Sequence, residues 1–301
     1  MREIEVTQAQ SNQRLDQFCA SMSEYSRSKV SQMIKQGDIL VNNEIMKPSY
    51  LIEEDDVIII KSLTPTPIDL EPIKMDLDIL YEDEDLLVIN KPQGLIVHPS
   101  PTSKEPTLVH GLLAYTQLSD HGEQFRPGIV HRLDKDTSGA MVVAKNEIAH
   151  AFLADQLKDK TMNRTYWAIV SGVFLHSSAK VDAPIGRDKK NRQQMSVTHE
   201  NAKEAVTHFR KLETFEKHSL LECKLETGRT HQIRVHCQYM KYPVLGDPVY
   251  GYKKESETMG QYLHAKKIEF IHPKTNQLIQ IEAPLTKRFS DKLDELRQSH
   301  E

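Results

Sequence analysis

Residues 131–139 read HRLDKDTSG, a run that sets two carboxylates, Asp134 and Asp136, beside Arg132 and Lys135. A carboxylate held against fixed positive charge can attack a polarised carbon or take a proton from one. The same letters also make a turn, because short polar side chains bond back to their own backbone and glycine tolerates positive φ. Three more stretches carry reactive residue types: Lys91-Pro92-Gln93-Gly94, Arg164-Thr165-Tyr166 and LETGRTHQIRVH at 225–236. Each has a plain structural reading. Lys-Pro-x-Gly is an ordinary turn, and Tyr166 with Trp167 could simply pack a strand. His231 and His236 are five residues apart, which is not the i,i+4 spacing of a helical metal pair.

The elements that must position these residues follow from periodicity. A proline-rich break at residues 61–73 (KSLTPTPIDLEPI) reads as a linker, giving a small domain with linker over 1–72 and a larger one over 73–301. In the small domain, residues 26–38 (SRSKVSQMIKQGD) predict a helix capped by Ser26 and closed at Gly37. Val30, Met33 and Ile34 mark its inner face, with Arg27, Lys29 and Lys35 opposite. Short strands are predicted at 39–41 and 57–60. In the larger domain, strands are predicted at 86–90, 139–145, 164–171, 205–213, 219–226, 266–271 and 278–283. Helices are predicted at 107–116, at 146–157 with Ile148, Phe152 and Leu153 as the buried stripe, and from about Thr230 through Gln238. Irregular interspersion points to an α+β class with a mixed, mostly antiparallel sheet, and away from a doubly wound one. No GxGxxG or GxxxxGK[ST] run follows a strand, which speaks against a nucleotide cofactor.

The 301 residues suffice for two domains and carry a net charge of −4, which alone does not suggest a nucleic-acid partner. The distribution says more: residues 76–85 are intensely acidic, while lysine and arginine outnumber acids over 158–192. Three widely spaced cysteines with no CxxC pair support neither a zinc ribbon nor a disulfide framework, and a reducing cytoplasm is the expected compartment. The start of the chain has no signal-peptide pattern, and no apolar run is long enough to span a bilayer.

Residues 12 to about 60, in the order RLDQF, SRSKVSQMIKQGDILVN and EDDVIII, resemble the small RNA-binding domain shared with a ribosomal small-subunit protein. That resemblance implies RNA contacts at Arg27, Lys29 and Lys35. Residues 75–285 resemble the RluA-type pseudouridine synthases, in the RluD-like branch that modifies large-subunit ribosomal RNA. The similar blocks are GIVHRLDKDTSGAMVVAK, NRTYWAIVSG, APIGRD and LETGRTHQIRVHCQYMKYPVLGDPVYG, in the family's order. The resemblance implies an isomerase that breaks a uridine's glycosidic bond, rotates the base and rejoins it through carbon. No cofactor and no metal are implied.

Asp134 matches the family's catalytic aspartate, and whether it attacks the sugar or removes a sugar proton stays open. Tyr166 matches the tyrosine that stacks on the base and helps remove a proton. Arg234 matches the basic residue paired with the aspartate, and Arg132 the arginine that fills the place of a flipped-out base. Arg187, Lys189 and Lys190 are taken as further RNA contacts, and Asp136 as a structural carboxylate. The expected partner is RNA, either large-subunit ribosomal RNA or an assembling subunit, with a monomer and no membrane. Two rivals share these features: a hydrolase of N-glycosidic bonds, and a non-catalytic RNA-binding or assembly factor.

Overall fold

Val57–Ile60 is wholly β-branched and Ile39–Val41 mostly so, the composition that fits a pleated, half-buried surface. In the computed structural model, residues 2–22, 27–61, 70–99, 105–119, 126–191 and 194–299 are described. Contacts divide the chain into two units, Met1–Pro67 and Ile68–Glu301. The first contains β1 (Arg2–Glu5), α1 (Leu15–Ser21), α2 (Arg27–Gln36), β2 (Ile39–Val41) and β3 (Val57–Ile60), with the strands antiparallel in the order β1-β3-β2. Val30, Met33 and Ile34 of α2 are buried with Leu15 and Phe18 of α1. Gly37 closes α2 at φ +79°, where a residue with a side chain would be strained. The Ser26 cap falls outside the described residues.

The second unit runs β4 (Ile79–Glu82), β5 (Leu86–Lys91), α3 (Leu108–Tyr115), β6 (Ser138–Ala144), α4 (Glu147–Lys158), β7 (Asn163–Ser171), β8 (Ser178–Asp182), β9 (Ile185–Arg187) and β10 (Met195–Val197). It continues through β11 (Val206–Thr214), β12 (His218–Leu225), α5 (Gln232–Tyr239), β13 (Leu263–Ile271), β14 (Leu278–Glu282) and α6 (Lys287–Gln298). The large sheet has the order β4-β5-β6-β13-β7-β12-β11-β8, with β14 also on β13. Its pairings are antiparallel except β6 with β13. β6 is buried along its whole length. Met141 and Val143 face one apolar cluster and Ala140 and Val142 another, which is why its sequence is a continuous apolar run. At the β6–β13 seam, a Cβ on Gly139 would come within 2.3 Å of the Ala265 carbonyl oxygen, so only glycine fits.

Two expectations need correction. α4 is capped by Asn146, whose side chain accepts from the Ala149 amide, but Ile148 is 78% exposed. The buried residues are Ala149, His150, Leu153 and Gln156, so the helix is rotated from the face that apolar content suggested. α5 begins at Gln232, because His231 before it sits at φ +58° in the left-handed region.

Candidate active site

The peptide ahead of β6 carries Asp134, and two packed residues hold it: Leu133 before and Thr137 after, both buried. The Thr137 amide donates to the Asp134 carbonyl, closing the turn that the sequence suggested. A second clamp comes from the Lys91–Gly94 turn at the end of β5. Lys91 is fully buried, and its Nζ donates to the carbonyls of Pro92, Leu95 and Lys135 at 2.8, 2.8 and 3.0 Å. Burial pushes the Lys91 pKa down to about 7, against the attraction of Asp134 and Asp136. Three acceptors for three N–H bonds match an ammonium, so we assign the charged form at neutral pH. Gln93 adds a bond from its Nε2 to the Asp136 carbonyl at 3.0 Å. Lys-Pro-Gln-Gly is therefore a turn whose purpose is to grip the Asp134 loop.

Arg234 sits on the first turns of α5 and reaches Asp134 with Nη1 at 3.0 Å from Oδ2. Its other two nitrogens are taken. Nε donates to Asp247 Oδ2 at 2.7 Å and Nη2 to Asp247 Oδ1 at 2.9 Å, the two-pronged geometry natural to guanidinium and carboxylate. Asp247 is fully buried and is itself fixed by the amides of Val249 and Tyr250. Burial alone would lower the Arg234 pKa, but the Asp247 bonds and charge, with Asp134 added, outweigh it and push it up. The arginine is charged at every accessible pH. Its guanidinium carbon lies 5.0 Å from the centre of the Tyr250 ring. His231 Nε2 stands 3.9 Å from Asp134 Oδ1, and His231 Nδ1 lies 2.8 Å from the Tyr250 hydroxyl.

Tyr166 rises from β7 into the same cavity of about 380 Å³ that Asp134, Arg132, His231 and Arg234 line. Its side chain is buried, burial raises its pKa, and its hydroxyl has no hydrogen-bond partner among the described residues. Arg132 is exposed at the rim, with Nη1 3.3 Å from His98 Nε2. His98 Nδ1 lies 3.2 Å from the Pro99 carbonyl, which assigns the proton to Nδ1 and leaves Nε2 to accept from Arg132. So Asp134, Tyr166, Arg234 and Arg132 meet at one cavity.

The other expected contacts lie elsewhere. Arg187, Lys189 and Lys190 belong to the β9–β10 hairpin and do not line the cavity. Lys189 pairs with Glu200 at 2.6 Å, and Asp188 ties the loop by accepting from the amides of Lys190 and Asn191. In the first unit, Lys35 is exposed and Arg27 Nε is 3.1 Å from Asp16 Oδ2. Nothing is described for the side chain of Lys29. Asp136 is half-buried and abuts Gly260.

Sequence reasoning gave Asp247 no role, read Lys91 within an ordinary turn, and weighed His231 only as a metal ligand. The signal for Asp247 was the Gly-Asp-Pro corner, where an acid of no stated role follows a buried run. A separate group, Asp83, Asp85 and His272, has ligand atoms close enough for a metal. The chemistry disagrees: His272 Nδ1 accepts from the amides of Lys274 and Thr275, so Nε2 carries the proton and donates to Asp83 at 2.8 Å. The imidazole has no lone pair left for an ion, so His272 is not a ligand, and its bond to Asp83 works as a latch between two turns.

A mixed sheet brings a carboxylate, its arginine and a buried tyrosine to one cavity. The family model for RNA pseudouridylate synthase matches residues 85–239, and the S4 domain model matches residues 13–58. The chain is 47% identical over 303 residues to YlyB of Bacillus subtilis, an uncharacterized RNA pseudouridine synthase, covering 99% of this chain and 100% of the relative. It is 41% identical over 314 residues to the ribosomal large subunit pseudouridine synthase D of Pseudomonas aeruginosa, covering 100% and 97%. Human RNA pseudouridylate synthase domain containing 4 has a similar structure, with TM-score 0.58 at 26% identity over 73% of this chain and 93% of that one. The chain belongs to the RNA pseudouridine synthase family, isomerases that act on RNA, and carries an S4 domain ahead of the catalytic part.

Among the described residues, no helix is long and apolar enough to cross a membrane.

Proposed function

We propose that this chain converts specific uridines of large-subunit ribosomal RNA to pseudouridine, with Asp134 as the catalytic carboxylate. The observation that carries the assignment is the 3.0 Å contact of Asp134 with an arginine already locked by Asp247. A cation fixed in that way holds one carboxylate oxygen and leaves the other to face the cavity. The substrate follows from similarity to large-subunit enzymes over nearly the whole chain. Tyr166 supplies the plate for the base and a hydroxyl for proton movement, and Arg132 at the rim takes the place of the flipped base. Residues 1–72 serve as the RNA-holding domain through Arg27, Lys29 and Lys35, and 73–301 as the catalytic domain, with Arg187, Lys189 and Lys190 on RNA phosphates. Base and ribose stay together throughout, so the reaction requires no cofactor. The enzyme works in the cytoplasm as a monomer.

The test is a pseudouridine map of large-subunit RNA from a deletion strain, complemented by wild type or Asp134→Asn. Sites that vanish and return only with wild type support the reading. An unchanged map sinks the ribosomal substrate, and loss of mass from the RNA would indicate a hydrolase instead.

A further inference from the structure

The cavity holds a second buried arginine that the assignment above leaves idle. Arg164 stands two residues before Tyr166 on β7, so the two side chains leave the strand on the same face. It is 9% exposed and lines the cavity with Tyr166 and His131. Among the described residues its side chain makes no hydrogen bond and no ion pair, and its Nε is buried without an acceptor. Burial pushes its pKa down, with no carboxylate to counter the effect. Beside it, His131 accepts the Val142 amide at Nε2, which puts its own proton on Nδ1, and that atom is likewise buried and unpartnered. A cation and an N–H donor are thus desolvated together at the cavity wall with nothing to bind. Unpaired buried donors are costly and call for a reason, of which a catalytic role is one; here two stand together on the wall of the cavity.

The chemistry of the proposed reaction supplies an anion at that place. When the C1′–N1 bond breaks, its electron pair leaves with the base, and N1, O2 and O4 of uracil share a negative charge. Asp134 either bonds to C1′ or takes a ribose proton. On both routes one unit of negative charge passes from Asp134 to the base. Rejoining through C5 returns the charge to Asp134, and the proton on C5 is then exchanged for one on N1. Arg234 compensates the charge where it starts. We infer that Arg164, with the Nδ1–H of His131, is the receptor for the uracil anion and so a catalytic residue of this site. The inference rests on the isomerase reading. The cavity wall already offers exposed Lys158 and half-buried Arg229 to phosphates, whereas Arg164 is buried beside the tyrosine.

The test compares Arg164→Ala with wild type on target RNA and on the same RNA with 5-fluorouridine at the target, whose base is the better leaving anion. Since fluorine leaves no C5 proton to remove, the fluorinated RNA is followed by the single-turnover rate at which its N1-linked nucleoside is lost. The expected result is a loss of roughly 10²–10³-fold in kcat, the range for removing one donor aimed at developing charge. Affinity and its salt dependence should stay at wild-type values, and the deficit should be smaller on the fluorinated RNA. A loss of affinity with a salt slope reduced by about 0.7–0.9 would make Arg164 a phosphate contact and overturn the inference. Equal deficits on both RNAs, or wild-type turnover, would overturn it too. Should Arg164→Ala fail to fold, Gly228→Ala serves. Its Cβ would lie 2.7 Å from Arg164 Nη1, displacing the guanidinium without removing its charge, and the same two RNAs are compared. Failure of the isomerase reading looks different: wild type then forms no pseudouridine in the target RNA, or the RNA loses the mass of the base.

Discussion

Arg234 and Lys189 both sit in short ion pairs, 3.0 Å to Asp134 and 2.6 Å to Glu200. Length does not separate them; surroundings do. The Arg234 side chain is 6% exposed and its partner 19%, while Lys189 and Glu200 are 67% and 69% exposed. In water a pair of that kind contributes about 0–1 kcal/mol, because solvent screens it and two long side chains lose freedom. Lys189 can therefore exchange Glu200 for an RNA phosphate at little cost. Arg234 cannot exchange anything. Removing it strands two carboxylates, one of them fully buried, and breaking a buried pair costs about 3–5 kcal/mol. The buried corner is built to fix geometry, and the hairpin is built to hold a charge in readiness.

Substitutions can break that contrast, starting with the largest effect. Asp134→Asn should abolish pseudouridine formation while binding RNA nearly as well as wild type, since most affinity comes from phosphates elsewhere. Turnover by a sequence-verified Asp134→Asn protein, measured by mass spectrometry of digested RNA, would remove the keystone. Arg234→Ala should reduce kcat by roughly 10²–10³-fold, as loosening of a fixed catalytic group does, and lower the melting temperature as well. Arg234→Lys should not rescue it, because an ammonium cannot make the fork to Asp247 and still reach Asp134. If Lys restores activity, charge alone matters and the locking described here is wrong.

Tyr166→Phe comes next, with a loss on the order of 10²-fold or more in kcat and unchanged affinity, because the ring stays and the hydroxyl goes. A single-turnover assay at saturating enzyme isolates that step.

The buried interior should also be visible in acid. Burial lowers His131 to about 3 and His264 to about 4 from the ordinary 6.5. Below 6.5 the unfolded chain takes up protons that the folded one refuses, so stability is present above 6.5 and is lost as pH falls towards 4. Each histidine contributes a slope of about 1.4 kcal/mol per pH unit in that window. Urea titrations at several pH values measure it, and His264→Gln should make the slope shallower. The smallest effect belongs to the hairpin. Lys189→Ala should weaken RNA binding by under about 1 kcal/mol and leave kcat alone. A fall in kcat there would mean the hairpin reaches the reacting base.

How far the sequence carried can be read from single residues. Asp134, Tyr166 and Arg234 were legible because their blocks resemble a known family, and the geometry brings all three to one cavity. Strand 86–90 was legible because β5 is buried on alternating faces by two clusters and its apolar run is unbroken. Ile148 misled, since an apolar type does not fix which side of α4 meets the sheet. α6 was overlooked although Phe289, Leu293 and Leu296 stand at i, i+4 and i+7, because charged residues outnumber them. Lys91 and Asp247 stand in visible turn motifs, Lys-Pro-Gln-Gly and Gly-Asp-Pro, but pattern does not show what they bind. Their meaning lies in what folds onto them, a carbonyl 44 residues away for one and a guanidinium 13 residues back for the other.

The seam between β6 and β13 has a consequence for how the protein is made. Ser138 pairs with His264, and the Ser138 hydroxyl lies 2.9 Å from His264 Nδ1, across 126 residues of chain. Asp134 comes from the β6 side, while Tyr166 stands on β7, which pairs with β13. A ribosome that has released residue 240 has produced Asp134, Tyr166 and Arg234, yet the strand that unites them is still unmade. Such late, long-range closure is slow to form. A nascent chain would thus carry the full set of reacting side chains with no site, and catalysis would switch on only after the last strands emerge.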